Sequence, residues 1–252
     1  MRFENKVVLV TGSSTGIGKT TAIEFAKEGA SVVINCFSSP EKGRNTAREI
    51  TDSGGKAEFI QADVSKESQV NKMFEEIIRN YGRLDALVNN AGFAKQSSFF
   101  DLTVPAFQKT LDVNLIGTFL CSKYAARQMV KQGSGSIVSV ASIRGLENCA
   151  RKDLIDYSIA KAGVINLTKS LAKELTPYGI NVNAVAPAIT RTELVKNLSE
   201  QAKQKAVGGC LLKRMAEPIE IAKSILFLSS SDASYITGEV LVIDGGYNLT
   251  AL

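Results

Sequence analysis

Short apolar runs alternate with longer amphipathic stretches along most of this 252-residue chain. The short runs are rich in Val, Ile and Leu, as strands buried on both faces of a parallel sheet are. They are Val7–Val10, Val32–Ile34, a weaker Ala57–Gln61, Leu87–Val88, Ile137–Val140, Ile180–Val185 and Val240–Ile243. The stretches between them show helical spacing and predict helices over Gly18–Glu28, Pro40–Asp52, Lys66–Asn80, Val104–Lys131, Tyr157–Thr176 and Ile219–Leu228.

Alternation of strand and helix is typical of βαβ units with right-handed crossovers. We therefore predict an α/β fold with three α/β/α layers, in which residues 1–252 form a single Rossmann-like domain around a doubly wound parallel sheet. A polar helical segment at residues 190–215 interrupts the alternation. Because inserted segments of this kind often close over a substrate, we expect a lid there rather than a second domain.

Composition and charge exclude several kinds of active site and of binding partner. The chain has no histidine, which excludes a Ser-His-Asp triad, a Cys-His pair and a His-ligated zinc, and we predict no metal site. Thirty Lys and Arg against 25 Asp and Glu give a net charge of +5 without a basic run, so we expect no nucleic-acid partner. No apolar stretch approaches about 18 residues, so we expect neither a signal peptide nor a membrane span. Four scattered cysteines indicate a reducing, cytoplasmic location.

A glycine-rich loop, Thr11-Gly12-Ser13-Ser14-Thr15-Gly16-Ile17-Gly18, follows the first predicted strand and opens into a helix. Glycines at 12, 16 and 18 permit a tight turn and let the backbone approach a pyrophosphate. Free N–H groups at the helix N-terminus would bind that anion. This placement predicts a dinucleotide site. A glycine-rich turn without a ligand is the alternative interpretation.

Further motifs follow in the order of a known family. They are Asp63-Val64, Asn89-Asn90-Ala91-Gly92, Asn114 inside the long helix, Ser142 after the fifth strand, Tyr157-x-x-x-Lys161, Pro187 with Thr192, and Asp244-Gly245-Gly246. Together with the glycine-rich loop, they make the whole chain resemble the compact branch of the short-chain dehydrogenase/reductase family. The resemblance implies a nicotinamide-dependent oxidoreductase that interconverts a carbonyl and a secondary alcohol. The nearest functional neighbours are 3-oxoacyl carrier-protein reductases and sugar dehydrogenases.

The resemblance also implies roles for individual residues. Tyr157 would exchange a proton with the substrate oxygen, Lys161 would tune it and bind the nicotinamide ribose, and Ser142 would hold the substrate oxygen. Asn114 would support a water relay to Lys161. The implied cofactor-binding residues are Gly12, Ser14, Thr15, Gly16, Ile17, Gly18, Phe37, Ser38, Asp63, Val64, Asn90, Ala91, Gly92, Tyr157, Lys161, Pro187, Thr190 and Thr192. Family members of this size are usually homotetramers and act on small molecules. The resemblance therefore implies a homotetramer with a small-molecule substrate.

Elementary chemistry supports the pairing of Tyr157 and Lys161. The two residues are four apart and share a helix face, so the ammonium should favour the phenolate and lower the tyrosine pKa from its usual value near 10. Plainer roles stay open for the other residues: Ser142 as a loop cap, Asn114 as a mid-helix residue satisfying backbone, Asn90 and Gly92 as a turn, and Asp63 as a helix N-cap. A cofactor-binding regulator or scaffold of this fold, without turnover, is the alternative function.

The end of the second strand bears on the choice of cofactor. Cys36 stands where an NAD enzyme of this fold usually has an acidic residue that bonds the adenosine ribose. Nothing there repels a 2′-phosphate, although the basic residues that the family often has at the positions of Thr15 and Phe37 are missing. The donors that remain are Ser14, Ser38 and Ser39, with Lys42 or Arg44 as cations. We expect NADP(H) in preference to NAD(H), with dual use open; the serines could instead only cap the helix that starts at Pro40.

Two departures from the family pattern concern the substrate side. Pro187-Ala188 replaces the usual Pro-Gly, and we expect only a small backbone change. The separation between Ser142 and Tyr157 is about two residues longer than usual, and the extra length falls in Leu146–Asp156. The polar residues there favour a polar substrate unless they are only solvated: Glu147, Asn148, Arg151, Lys152, Asp153 and Asp156.

Overall fold

The computed structural model describes residues 1–147, 149–196 and 199–249. Seven strands form one sheet: β1 (Val7–Val10), β2 (Ser31–Cys36), β3 (Lys56–Gln61), β4 (Ala86–Asn89), β5 (Gly135–Val140), β6 (Ile180–Pro187) and β7 (Val240–Ile243). Their spatial order is β3-β2-β1-β4-β5-β6-β7, and every neighbouring pair is parallel. All seven predicted strands are therefore present, most of them one or two residues longer than their apolar runs.

Helices cover both faces of this sheet. They are α1 (Gly16–Lys27), α2 (Pro40–Asp52), α3 (Glu67–Tyr81), α4 (Val104–Leu111), α5 (Gly117–Gln132), α6 (Ile155–Leu175), α7 (Glu193–Lys196), α8 (Glu200–Gly208) and α9 (Pro218–Ser229). None of the helices in the described ranges is long and apolar enough to cross a membrane. The predicted α/β fold with a doubly wound parallel sheet is confirmed.

Two apolar layers hold the helices to the sheet. On one face, side chains of α3 and α5 such as Met73, Ile77 and Met129 pack on Leu9 and Leu87. On the other face, side chains of α1 and α9 pack on β1 and β2, as Phe25, Ile221 and Ile225 do against Val10 and Ile34. Because strands covered on both faces have no polar side, their apolar runs are continuous. The sheet and its two helical layers make the three layers that the sequence predicts.

The long helix predicted over Val104–Lys131 is not continuous. α4 ends at Leu111, a π-helical segment spans Asp112–Ile116, and α5 continues from Gly117. Asn114 lies at the centre of the π-helical segment, and its side-chain amide donates to the Thr110 carbonyl one turn back. A side chain that takes a helix carbonyl in this way widens the turn, and such segments are frequent at functional sites.

The sheet topology creates a crevice at one edge. β1 pairs with β2 on one side and with β4 on the other. The strand order therefore reverses at β1: β2 and β3 extend to one side of it, and β4 to β7 extend to the other. Ligands of open α/β sheets bind outside the carboxyl ends of the strands at this point. The segment predicted as a lid holds α7 and α8, and its residues 197 and 198 lie outside the described ranges.

Candidate active site

A cavity of about 1600 Å³ opens at the carboxyl ends of the strands, across the point where the strand order reverses. Of the predicted site residues, those lining it are Gly12, Ser14, Thr15, Gly16, Ile17, Phe37, Ser38, Asp63, Val64, Asn90, Ala91, Gly92, Ser142, Tyr157, Pro187, Thr190 and Thr192. Gly18, Asn114 and Lys161 lie behind the wall. One cavity therefore collects predicted site residues that are up to 180 positions apart in the chain.

The glycine-rich loop presents the N-terminus of α1 to this cavity. Thr15 is the N-cap residue, with an extended backbone and no capping hydrogen bond from its side chain. The first-turn N–H groups are therefore left for an anion, which the positive end of the helix also attracts. This geometry fits the pyrophosphate of a dinucleotide.

The glycines of the loop serve packing as much as ligand approach. A Cβ on Gly12, which has a φ of +63°, would lie 2.7 Å from the Ala91 Cα, and one on Gly18 would lie 2.4 Å from the Asn90 Nδ2. Gly12 and Gly18 thus make room for the loop after β4. Gly16 differs because the nearest atoms belong to a side chain: a Cβ there would lie 3.1 Å from the methyl group of Thr192.

Asn90 fastens the glycine-rich loop to β4. Its Nδ2 donates to the carbonyls of Thr11 and Gly12, both at 3.0 Å. The hydroxyl oxygen of Thr11 in turn accepts from the backbone N–H groups of Asn90 (3.0 Å) and Ala91 (3.1 Å). Thr11 was not among the predicted site residues, and only its place at the start of the loop could have indicated this role. Asn90 also lines the cavity, so its part in holding the turn is compatible with a contact to a cofactor.

Asp63 does not cap a helix. Its Oδ1 accepts from the Ser65 backbone N–H (3.0 Å) and hydroxyl (2.7 Å), whereas the N-cap residue of α3 is Lys66. The N-cap interpretation is therefore wrong, and Asp63 closes a tight turn on the cavity wall. Its neighbour Val64 packs against Gly117, where a Cβ would lie 2.7 Å from a Val64 methyl.

Ser142 and Tyr157 meet on the substrate side of the cavity. The Ser142 hydroxyl accepts from the Arg144 backbone N–H at 3.1 Å, so Ser142 also caps the short 3₁₀ turn Ile143–Gly145. Burial raises the pKa of Tyr157, and a hydrogen bond with Ser142 and the charge of Arg144 lower it in part. The sequence predicts a pKa lowered by Lys161; the structure gives the opposite direction, because desolvation of the phenolate dominates.

Lys161 lies one turn further along α6, on the same helix face as Tyr157. Its side chain is 5% exposed, its Nζ donates to the Val140 carbonyl at 2.7 Å, and Nζ is 5.6 Å from the centroid of the Tyr157 ring. Burial lowers the pKa of Lys161 to about 8. No carboxylate in the described ranges pairs with it. An ammonium has three N–H groups, so donors remain for a further partner.

Asn114 lies near the Lys161 ammonium, on the opposite side of Gly92. Its Nδ2 donates to the carbonyls of Phe93 and Thr110, both at 3.0 Å, while its buried Oδ1 has no partner among the described residues. A Cβ on Gly92 would lie 2.5 Å from this Oδ1 and 3.7 Å from the Lys161 Nζ. Gly92 thus leaves a space between an unpaired acceptor and an ammonium, and a water molecule with two such partners would fit.

The adenosine end of the cavity has no carboxylate at the position that the sequence singles out. The Cys36 thiol is buried and donates to the Ser39 carbonyl at 3.2 Å. Ser39 is the N-cap residue of α2, but its side chain makes no capping hydrogen bond. The structure therefore does not support the alternative that Ser39 serves only to cap this helix. Lys42 pairs with Glu193 at 2.7 Å, and Arg44 pairs with Glu41 at 2.5 Å. Both candidate cations therefore already have carboxylate partners.

The substrate side contains two residues that sequence reasoning missed. Arg144 and Tyr247 line the cavity, and the guanidinium lies 5.2 Å from the centre of the tyrosine ring. Arg144 stands two positions after Ser142, which is a usable signal. Nothing in the sequence places Tyr247, which the C-terminal segment brings back to the site.

The polar residues of the longer loop have different fates. Arg151 and Asp153 pair with each other at the wall (2.7 and 3.1 Å). Asp156 is buried and accepts from the Thr110 hydroxyl (2.6 Å) and the Tyr157 backbone N–H (2.9 Å), so it braces the start of α6. Lys152 is exposed at the rim, and Asn148 lies outside the described residues.

Comparison with known proteins agrees with this geometry. A family model described as enoyl-(acyl carrier protein) reductase matches residues 12–248. The chain is 41% identical over 247 residues to a 3-oxoacyl-(acyl-carrier-protein) reductase of Aquifex aeolicus, covering 98% of each. It is 39% identical to a cis-4-hydroxycyclohexanecarboxylate dehydrogenase of Sinomonas cyclohexanicum, covering 97% of each. The crystal structure of a short-chain type dehydrogenase/reductase from Mycobacterium marinum superposes with a TM-score of 0.93 at 38% identity, covering 97% of this chain and 96% of that one.

Proposed function

The chain belongs to the short-chain dehydrogenase/reductase family, and on that premise we propose that it reduces a small-molecule carbonyl to a secondary alcohol with NADP(H). Tyr157 is the proton donor. The observation that carries the proposal is the convergence of Tyr157 and Ser142 on the cavity, with the buried ammonium of Lys161 behind them.

The residues present fit a nicotinamide dinucleotide. The uncapped N-terminus of α1 suits its pyrophosphate, and the cavity continues from there to Ser142 and Tyr157. The phosphates would be held by Gly12–Ile17 with Thr190 and Thr192. The adenosine would be held by Phe37, Ser38, Asp63 and Val64. The nicotinamide half would be held by Asn90–Gly92, Tyr157, Lys161 and Pro187. When bound, the nicotinamide supplies the hydride.

The protein's own groups position the carbonyl and supply the proton. Ser142 donates a hydrogen bond to the substrate oxygen, and Tyr157 transfers its hydroxyl proton to that oxygen. Because burial raises the pKa of Tyr157, the hydroxyl stays protonated at neutral pH, which suits reduction better than oxidation. Lys161 stabilises the phenolate that remains after transfer. A water molecule between Lys161 and the Asn114 Oδ1 returns a proton.

The cofactor proposal depends on the end of β2. Cys36 offers no carboxylate to repel a 2′-phosphate, and Ser14, Ser38 and Ser39 line the cavity beside it. Lys42 becomes available to the phosphate if Glu193 moves. Since Glu193 begins α7, the same movement would open or close the segment 190–215, which we take as the substrate lid.

Assembly and location complete the proposal. Large apolar side chains around α4, α5 and the first turns of α6 are exposed in the monomer: Phe99, Phe100, Val104, Ile116, Phe119 and Ile159. Exposed apolar surface of this kind marks an interface, and the long helices suit a homotetramer built as a dimer of dimers. We place the protein in the cytoplasm, and the four free, buried cysteines support this location because disulfides are rare there.

The test is turnover of a ketone panel with NADPH and NADH, by wild type and by Tyr157→Phe. The variant should lose at least about 10²-fold in turnover, because it lacks the transferable proton, and should still bind cofactor. Tyr178→Phe, at an exposed tyrosine far from the cavity wall, is the matched control. Near wild-type turnover by Tyr157→Phe would contradict the assignment. Cofactor binding without turnover of any carbonyl would favour the alternative of a non-catalytic regulator or scaffold.

A further inference from the structure

Arg144 occupies a fixed position beside the reacting groups. It lies in the 3₁₀ turn Ile143–Gly145, which Ser142 caps by accepting from the Arg144 backbone N–H. The turn packs tightly on α6: a Cβ on Gly145 would lie 2.5 Å from both the Ala162 nitrogen and the Lys161 carbonyl carbon. Arg144 therefore keeps its place relative to Ser142 and to the helix that carries Tyr157.

The guanidinium of Arg144 has only neutral partners. Its Nη1 donates to the Cys149 carbonyl (3.2 Å) and the Tyr247 hydroxyl (3.5 Å), and its plane lies near the Tyr247 ring. Across the described ranges, no carboxylate pairs with it and no acceptor contacts its Nε or Nη2. Arg151, on the same wall, differs because it is bound by Asp153 at two nitrogens.

A partly buried arginine without a counter-ion is an anion site. The guanidinium fork matches a carboxylate with two parallel hydrogen bonds, and two nitrogens of Arg144 are left for such a pair. Among the described residues, four carboxylates line the cavity, and none of them pairs with Arg144. Asp153 is neutralised by Arg151, and Glu193 pairs with Lys42 near the adenosine end. Asp63 and Asp112 accept hydrogen bonds from Ser65 and Gln108. The Tyr247 ring, whose centre is 5.2 Å from the guanidinium carbon, helps to fix the position of the guanidinium.

We propose that Arg144 binds a carboxylate carried by the substrate, so that the preferred substrates are small oxo acids rather than neutral ketones or esters. The inference rests on the proposed function, because it assumes that Ser142 and Tyr157 hold the carbonyl of the same molecule. Arg144 is then a specificity-determining residue, and the distance between its fork and Tyr157 selects the length of the oxo acid.

The experiment compares oxo acids with their methyl esters. The probes are 3-oxobutanoate, 4-oxopentanoate and 5-oxohexanoate, each as acid and ester, with wild type, Arg144→Gln, Arg144→Lys and Lys152→Gln. For the best acid, Arg144→Gln should lower kcat/KM by at least about 30-fold, mainly through KM, as expected for loss of charge-assisted hydrogen bonds. The esters should change by less than about 3-fold. Arg144→Lys should restore part of the acid activity, because it keeps the charge without the fork.

Lys152→Gln is the matched control for charge alone, since Lys152 is an exposed cation on the same wall. It should change the acid-to-ester ratio by less than about 3-fold. Equal losses for acid and ester in Arg144→Gln would overturn the proposal, because they would mean a structural role. Wild-type preference for the esters, or an equal effect of Lys152→Gln, would also overturn it.

Calorimetric titration of each of the three oxo acids into wild type and Arg144→Gln separates this inference from the proposed function. If no carbonyl is turned over, the proposed function fails, yet binding to wild type that is lost in Arg144→Gln still supports the anion site. Equal binding to both proteins, or binding to neither, overturns it. If esters are reduced with Tyr157 required and Arg144 makes no difference, the proposed function stands and the anion site fails.

Discussion

Replacement of Lys161 by methionine should remove activity without removing stability. Lys161 is a buried ammonium whose only described acceptor is the Val140 carbonyl. A buried charge without a carboxylate partner destabilises the folded state, and under the proposed function Lys161 is retained for its part in catalysis. We therefore expect Lys161→Met to fold, bind cofactor weakly and reduce carbonyls at least about 10²-fold more slowly.

The expected change in the free energy of unfolding follows from the lowered pKa of Lys161. A fall from the ordinary 10.5 to about 8 corresponds to about 3 kcal/mol of destabilisation while the amine is protonated. Loss of the hydrogen bond to Val140 offsets about 1–3 kcal/mol of this in the variant. At pH 7, Lys161→Met should therefore be as stable as wild type or up to about 2 kcal/mol more stable.

The sign of the pH dependence is fixed by the same values. Between pH 8 and 10.5 the unfolded chain holds more protons on Lys161 than the folded chain, so wild-type stability gains from rising pH in this window. Below pH 8 the full destabilisation is present, and above 10.5 it is gone. The stability of Lys161→Met relative to wild type should fall by about 3 kcal/mol between pH 7 and 10.5.

Urea unfolding of both proteins at equal concentration across this range measures the difference. Groups distant from Lys161 titrate alike in both proteins and cancel. Lys169→Met, at an exposed lysine on the same helix, is the control and should follow wild type at every pH. A pH-independent difference between Lys161→Met and wild type, or a loss of more than about 3 kcal/mol at pH 7, would refute the reasoning.

Three further predictions concern the cofactor, the water site and assembly. Cys36→Asp should shift the ratio of kcat/KM toward NADH by at least about 10-fold, since the carboxylate repels a 2′-phosphate, with Cys36→Ser unchanged; a wild type that already prefers NADH would contradict the cofactor proposal. Gly92→Ala should slow reduction at least about 10-fold with folding retained, because its Cβ would lie 2.5 Å from the Asn114 Oδ1; Gly208→Ala, in open space, is the control, and equal rates would refute the water site. Light scattering at micromolar concentration should give a tetramer, and a monomer would show that the exposed apolar helices are not an interface.

The fold could be predicted because the signal is local. Val7–Val10 and Val240–Ile243 are continuous apolar runs, which are typical of strands in a sheet covered on both faces. The order of the motifs then placed Ser142, Tyr157 and the glycine-rich loop at one edge of that sheet, where the structure has them. Periodicity could not show the π-helical segment around Asn114, because helical spacing does not reveal that this side chain takes the Thr110 carbonyl of its own helix.

Other parts of the site depend on burial and long-range contacts that spacing does not encode. The spacing of Tyr157 and Lys161 gave their shared helix face but the wrong direction for the tyrosine pKa, since desolvation outweighs the ammonium. The hydrogen bond of Asn90 to Gly12 and the contact of Arg144 with Tyr247 join residues 78 and 103 positions apart. The preference for NADP(H), the lid and the tetramer remain predictions.

Transfer of deuterium from reduced cofactor tests the central claim most directly. Wild type and Tyr157→Phe would each be incubated with NADPH carrying deuterium at the transferable position of the nicotinamide, together with the best carbonyl of the panel, and the product analysed by mass spectrometry and NMR. The account predicts one deuterium on the carbinol carbon with wild type, and at least about 10²-fold slower labelling with Tyr157→Phe. Product alcohol without deuterium at that carbon, or equal labelling by both proteins, would contradict it.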